Sequence, residues 1–386
     1  MNSELPMLDI TVVELGTSLA APWAGFIMGQ MGATVIKVEQ PDGGDPARSW
    51  GPPIADETSV IFQVANRGKH SVVLDLTKTA DLEALKEIVS RRADVFIQNL
   101  RPGAVDKLGL DAGTLLEMHP ELVYCNLGAY GSEGPLADRP GYDPLIQAFS
   151  GMASVTGPED GEPCRVGVPV NDFGTGMWAV MGVQAGLMRR SRTGKGGLVD
   201  VSLLDTALGY MSLSLTAAAI TGKAQGRHGL AGPGGLVPNE GFETADGVLI
   251  ITAGTDAQFA KLCAVLDHPE WAQDERFNTA GGRHRHASLL RELLSASLGT
   301  RTRAQWMELL DARGVPNSPV FAPLETLEHP QTQACGMIQA GSDGGAPQIR
   351  LPIKLDGERF LRSSHVPKPG EHNHLYLNGA NPANKR

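Results

Sequence analysis

Cysteine is scarce. Cys125, Cys164, Cys263 and Cys335 lie far apart in 386 residues, with no CxxC pair and no metal-ligand spacing. That excludes a disulfide framework and a zinc ribbon, and implies reduced thiols, mostly buried, in a reducing compartment. No apolar run reaches the roughly 18 residues that a membrane-spanning helix needs. The longest candidate, Met177–Met188, is broken by Gly and Gln and ends at Arg189-Arg190, the pattern of a buried core helix. Met1–Asp9 carries two acidic residues and no basic one, unlike a signal peptide. The expectation is a cytoplasmic protein. Positive charge is also in deficit, 33 Lys and Arg against 43 Asp and Glu. An acidic surface argues against nucleic-acid or anionic-membrane binding, so an anionic ligand needs a local basic cluster.

Glycine and proline are plentiful, 47 and 26 residues, which implies many tight turns. The chain opens with an apolar strand at Ile10–Leu15, a helix at Ala21–Met31 and a β-branched strand at Thr34–Val38. Gly32 falls where a helix C-terminus is expected. Further strands are expected at Ser71–Leu76, Val95–Asn99 and Leu122–Leu127, with a helix at Thr79–Arg91 and another near Leu115. Repeated βαβ units predict an α/β fold with a parallel sheet, and ligands at the carboxyl ends of its strands. Those ends carry Thr17-Ser18, Glu39-Gln40, Asn99 and Gly128–Tyr130. The first turn, Gly16-Thr17-Ser18-Leu19-Ala20-Ala21, is not G-x-G-x-x-G, so a Rossmann-like geometry is expected without NAD binding.

One helix is expected from Ser202 to about Thr221, then a glycine-rich stretch, then a strand at Gly247–Ala253. Helical segments follow near Gln258–Leu266, Ser288–Leu298 and Arg303–Leu310. The expected division is a large domain over 1–225, a smaller α+β domain over 226–320, and a segment over 321–386 returning to the first. Arg283, His284, Arg285 and His286 suggest an anion or metal site, though a solvated helix end accounts for them better.

Several strings carry a resemblance over nearly the whole chain: Gly32-Ala33-x-Val35-Ile36-Lys37-Val38-Glu39, Gly44-Asp45-Pro46-x-Arg48, Asn66-Arg67-Gly68-Lys69-x-Ser71 and Leu74-Asp75-Leu76. Asn99-x-Arg101-Pro102-Gly103, Gly141-Tyr142-Asp143, Asp172 with Gly176-Met177, and Thr193-Gly194-Lys195-Gly196 complete it. Each is weak alone; their order and spacing are specific. The sequence resembles the class III CoA-transferases, the formyl-CoA:oxalate transferase, carnitine dehydratase and bile-acid-inducible group. The resemblance implies an interlocked, ring-like homodimer with a Rossmann-like large domain. It also implies a coenzyme A thioester and a small carboxylic acid as substrates, with no tightly bound cofactor and no metal.

Asp172 precedes an apolar helix and by itself reads as an N-cap, since aspartate is among the best caps. The resemblance makes it the nucleophile. Asp143 reads alone as a turn or cap residue before Pro144; by resemblance it lines the acyl pocket. Tyr142 stands where related racemases carry His, and tyrosine is a poor base near neutral pH. Thr17, Ser18 and Leu19 match positions near the nucleotide and thiol ends of coenzyme A. Gln40, Leu74, Thr77 or Lys78, Asn99, Leu100 and Lys107 match positions that hold it, Gln40 standing where some members have Arg. Arg67, Lys69, Arg101 and Lys107 are candidates for the local positive charge. Gly232–Gly235, with Gly234 and Gly235 expected at the substrate pocket, corresponds to a mobile flap or else is an interdomain linker. Alternatives left open are an acyl-CoA racemase or isomerase, and a non-catalytic Rossmann-type CoA-binding protein.

Overall fold

The computed structural model describes residues 5–51, 58–232, 235–341, 346–360, 362 and 365–377. The chain folds as two compact units. The first comprises Met1–Met152, Arg165–Ala224 and Ala334–Arg386, the second Ala153–Cys164 and Gln225–Gln333.

The first unit is built on six strands: β1 (Thr11–Leu15), β2 (Thr34–Glu39), β3 (His70–Val73), β4 (Val95–Gln98), β5 (Val123–Gly128) and β6 (Gly197–Ser202). They pair in the order β3-β2-β1-β4-β5-β6, and every pairing is parallel. That order reverses direction beside β1, where doubly wound sheets open a ligand crevice. The strands are apolar because helices cover the sheet; Val12, Val13, Ile36, Val72, Phe96 and Val123 are all fully buried. The last strand, β6, has an alternating burial pattern and was not anticipated from its sequence.

Two helices matter for the site. The Ala20–Gln30 helix carries Pro22 in its first turn, where a missing N–H costs nothing. It ends at Met31, and Gly32 follows with φ +114°. The Val170–Thr193 helix packs on it through Gly176, where a Cβ would come within 2.8 Å of both the Ala20 carbonyl oxygen and Trp23 Cδ1. The buried core helix expected at Met177–Met188 lies within it, but Met177, Trp178, Met181 and Met188 are exposed, so only one side of the helix meets the core. The single helix expected from Ser202 to Thr221 is two, Leu203–Tyr210 and Ser212–Thr221, bent by 65°. Of the cysteines, Cys125 and Cys263 are buried and Cys164 is exposed; all four are free.

The C-terminal segment lies along the sheet edge at β3. The His372 N–H donates to the Ser71 carbonyl at 3.0 Å, and Asn373 Oδ1 accepts the Val73 N–H at 2.9 Å. Beside these bonds, the His70 and His372 rings stack at 4.4 Å.

The second unit has a three-stranded antiparallel sheet, β7 (Asn239–Thr244), β8 (Gly247–Thr252) and β9 (Asn317–Pro319), in the order β7-β8-β9. Helices Asp256–Val265, Ala287–Leu298 and Arg303–Ala312 cover a core of Phe242, Leu249, Ile251, Phe259, Leu290, Leu294 and Trp306. The unit runs to Gln333 rather than 320 and takes in Ala153–Cys164. Hydrogen bonds draw that stretch in: the Gly229 N–H donates to the Gly157 carbonyl at 2.9 Å, and Arg227 Nε to the Pro158 carbonyl at 3.2 Å.

Candidate active site

A cavity of about 730 Å³ opens at the carboxyl ends of β1 to β4, lined among others by Leu15, Thr17, Glu39, Gln40, Leu74, Lys78 and Leu100. Of the residues expected to hold coenzyme A, Thr17, Gln40, Leu74, Lys78 and Leu100 therefore share one cavity, as does Thr77. Asn99 stands behind Thr17 instead. Its Oδ1 accepts the Thr17 N–H and its Nδ2 donates to the Thr17 carbonyl, both at 2.9 Å. Ser18 sits at φ +71° and donates its N–H to Asp45 Oδ1 at 3.3 Å. Leu19 is buried and is not a lining residue. Lys107 is exposed on the short Ala104–Leu108 helix, from which Leu108 rather than Lys107 lines the cavity.

The basic cluster expected for an anionic ligand is mostly committed elsewhere. The Lys69 ammonium is buried, with Glu14 Oε2 at 2.7 Å, the Pro22 carbonyl at 2.8 Å and Asn66 Oδ1 at 3.0 Å. Arg67 is also buried, donating to Gln63 Oε1 and the Ala346 carbonyl. Arg101 is exposed and is not a lining residue. Lys78, the one cation lining the cavity among the described residues, pairs with Asp75 at 3.2 Å.

Beneath the cavity lies a buried charge network that sequence reading missed. Glu14 and Lys37 face each other in register on β1 and β2. Lys37 Nζ reaches Glu14 at 3.1 Å, Asp45 at 2.9 Å and the Gly16 carbonyl at 2.7 Å. Burial would lower the Lys37 pKa, but the Glu14, Asp45 and Glu39 carboxylates together hold it above the ordinary lysine value. Lys69, with burial dominant and Glu14 opposing it, is pushed down to about 8. Glu39, at the carboxyl end of β2, is enclosed too. Arg48 grips it in two hydrogen bonds of 2.8 and 2.7 Å, and Ser71 Oγ donates to it at 2.6 Å. One signal was available: a lone charge in the middle of each of two adjacent apolar strands.

Asp172 lies in the first turn of the Val170–Thr193 helix, but it is not the N-cap. Pro169 holds that position and makes no side-chain cap. The cap comes from another helix. Asp143 opens the Asp143–Phe149 helix, and its Oδ2 accepts the Asn171 N–H at 2.7 Å. Its Oδ1 accepts from Gln147 Nε2 at 2.5 Å, so this buried carboxylate is engaged on both oxygens. Asp172 receives no hydrogen bond among the described residues. Burial, followed by the charge of Asp143, pushes its carboxyl up to about 7. Phe173 packs edge-on against Trp23 at 5.0 Å, which sets Asp172 beside the helix that begins at the Thr17–Leu19 turn. Beside it, the Asn171 side chain is fully buried, and among the described residues neither its amide nitrogen nor its oxygen has a partner. Tyr142 immediately precedes Asp143 and is 57% exposed.

Among the described residues no group of three or more His, Cys, Asp or Glu is arranged to hold a metal. Arg283 is fully buried in the second unit, donating to the Val237, Gly254 and Phe277 carbonyls and pairing with Asp256 at 2.9 Å. It is a structural residue, not an anion site. Gly235, at φ +71°, lies against His284 in that unit, and Gly234 falls outside the described residues.

The sheet order and the cavity at its strand ends define a doubly wound α/β fold, and comparison makes the class specific. The chain belongs to the CoA-transferase family III, whose model matches residues 7–373. It is 37% identical to a succinate–glutarate CoA-transferase of Agrobacterium fabrum, over 96% of this chain and 94% of that protein. It is 36% identical to an acetyl-CoA:oxalate CoA-transferase of Acetobacter aceti, over 91% and 90% of the two chains. The crystal structure of a CAIB/BAIF family protein from Brucella suis superposes with a TM-score of 0.87 at 36% identity, over 96% of this chain and 98% of that one. The protein is a CoA-transferase enzyme.

Proposed function

We propose that the protein transfers coenzyme A between two small carboxylic acids through covalent intermediates on Asp172. The ionised Asp172 attacks the thioester carbonyl of an acyl-CoA, giving a mixed anhydride and CoA thiolate. The thiolate attacks the Asp172 carbonyl, forming an aspartyl-CoA thioester and releasing the donor acid as its carboxylate. An acceptor carboxylate runs both steps in reverse and leaves as its own CoA thioester. Overall one thioester is consumed and one is formed, so the exchange needs no ATP. The observation that carries this reading is Asp172 itself: a partly buried carboxyl, without a hydrogen bond among the described residues and raised to about 7, is a stronger nucleophile than a solvated one.

The Rossmann-like unit supplies the cavity for the coenzyme A thioester, and Thr17, Gln40, Leu74, Lys78 and Leu100 hold it there. The names of the relatives favour succinate and glutarate, with oxalate next, as the acids exchanged. Tyr142 and Asp143 bound the acyl end. A homodimer is part of the proposal, in the interlocked form of the family. The Ser212–Thr221 helix buries none of its residues, and Leu213 and Ile220 stand 80% and 79% exposed, an apolar surface that a second copy would cover. Incubation with succinyl-CoA and a panel of acids in deuterated water tests the reading. New CoA esters support it; α-deuterium exchange without transfer would mean a racemase, and neither product would mean a binding protein.

A further inference from the structure

We propose that Gln147 is the positioning residue of the nucleophile: it clamps Asp143 and the Val166 amide at once, and so fixes both ends of the segment that delivers Asp172. The inference rests on the reading of Asp172 as nucleophile.

The chain enters the Val170–Thr193 helix through Val166–Pro169, which belongs to no regular element. Such an entry leaves the first helical N–H groups without partners and the approach of the chain undetermined. Two hydrogen bonds determine it here. At the near end the Asn171 N–H donates to Asp143 Oδ2 at 2.7 Å; at the far end the Val166 N–H donates to Gln147 Oε1 at 2.8 Å. Gln147 also donates Nε2 to Asp143 Oδ1 at 2.5 Å. One amide thus joins both anchors, using its acceptor for one and its donor for the other. Gln147 lies one turn after Asp143 on the same helix, which holds the two side chains at a fixed spacing. Gln147 and Asp143 are 1% and 3% exposed, so water cannot replace either bond at low cost.

Neither residue needs to touch the acyl group for this to matter. A nucleophile displaced by about 1 Å loses much of its reactivity. The elements packed on the Asp172 helix also carry Tyr124, Cys125, Asp200, Asp205 and Tyr210. Of all these titratable groups, Asp143 is the one whose charge acts on Asp172. Removing the Gln147 side chain releases Asp143 from its fixed place and weakens the charge it exerts on Asp172. A side chain of purely structural importance has no reason to lower kcat and move the acid limb while leaving KM nearly unchanged.

The test uses the full-length enzyme with succinyl-CoA and glutarate between about pH 5 and 9, comparing wild type, Gln147→Leu and Gln147→Glu. Gln147→Leu is expected to lose roughly 10- to 100-fold in kcat, with KM for succinyl-CoA changed less than about threefold. Its acid limb should move to lower pH. The near-isosteric Gln147→Glu, whose protonated carboxyl keeps one donor and one acceptor in the same places, should recover most of the kcat. A Gln147→Leu limb that coincides with wild type, even with a lower Tm, overturns the proposal, as does an unchanged kcat in Gln147→Leu or a Gln147→Glu kcat as low as that of Gln147→Leu. If Gln147→Leu fails to fold, Gln147→Met is measured for the same kcat, KM and limb. Failure of the wild type to form glutaryl-CoA would instead sink the transferase reading underneath.

Discussion

Asp143 accepts the backbone N–H of Asn171 at 2.7 Å, so the helix that bears Asp172 is capped by a carboxylate from a different helix. Two aspartates thereby divide what one was expected to do. Asp143 has both oxygens engaged and secures the helix start. Asp172, one residue beyond the capped amide, keeps its carboxylate without a hydrogen bond among the described residues. Their proximity also accounts for part of the raised Asp172 pKa, after burial.

Asp172→Asn should reduce CoA transfer by on the order of 10⁴-fold or more, since no second nucleophile stands in its place. Borohydride reduction of wild-type enzyme incubated with substrate should release CoA and convert Asp172 to homoserine, seen as a loss of about 14 Da in its peptide mass. Near-normal turnover in the variant would remove the assignment.

The same substitution should stabilise the fold, with a definite pH dependence. The folded value of about 7 exceeds the ordinary aspartate value of 3.8, so ionising Asp172 works against folding as pH rises between those values. Asp172→Asn should match wild type near pH 4 and melt a few degrees higher at pH 8. A Tm difference independent of pH would contradict the raised value.

Transfer itself should require the ionised carboxylate. The logarithm of kcat/KM is expected to rise with unit slope up to about pH 7 and then level, following the Asp172 carboxyl. A limb at the ordinary aspartate range would contradict the raised value.

Lys37→Met tests the buried network. It leaves Glu14 and Asp45 without their shared cation and frees the Gly16 carbonyl that Lys37 holds at 2.7 Å. A loss of about 3–5 kcal/mol is expected in urea unfolding, as for other buried pairs broken on one side. A loss below about 1 kcal/mol would mean that water or a rearranged Lys69 replaces Lys37.

Gly176→Ala probes the approach of the two site helices. Its Cβ would meet the Ala20 carbonyl and Trp23 Cδ1 at 2.8 Å, and backbone cannot yield as a flexible side chain does. Destabilisation of about 1–3 kcal/mol is expected from thermal unfolding. Gly209→Ala, which meets nothing within 4 Å, is the matched control and should be neutral or mildly stabilising.

Much of the sheet was legible because buried parallel strands are short apolar runs bounded by turns, as in Val35–Val38 and Val95–Ile97. The first turn and the Asn99 strand end were legible for the same reason, and so was their place near a ligand crevice. Asp172 was visible only as an aspartate before an apolar helix, a pattern that capping explains equally well. The resemblance of the surrounding strings, not local chemistry, singled it out.

Partnerships between distant residues came from packing alone. Periodicity tells which face of an element is buried, but not which charge meets which. Glu14, Lys37, Asp45 and Lys69 read as isolated charges until the strand register and the β2 crossover enclosed them together. Likewise Asp143 passed for a turn residue, because its capping partner lies 28 positions away. Local residue order was enough for most of the central strands and for the family. Which carboxylate stays free of hydrogen bonds among the described residues was settled by long-range contacts, since burial and hydrogen-bond partners exist only once the chain is packed.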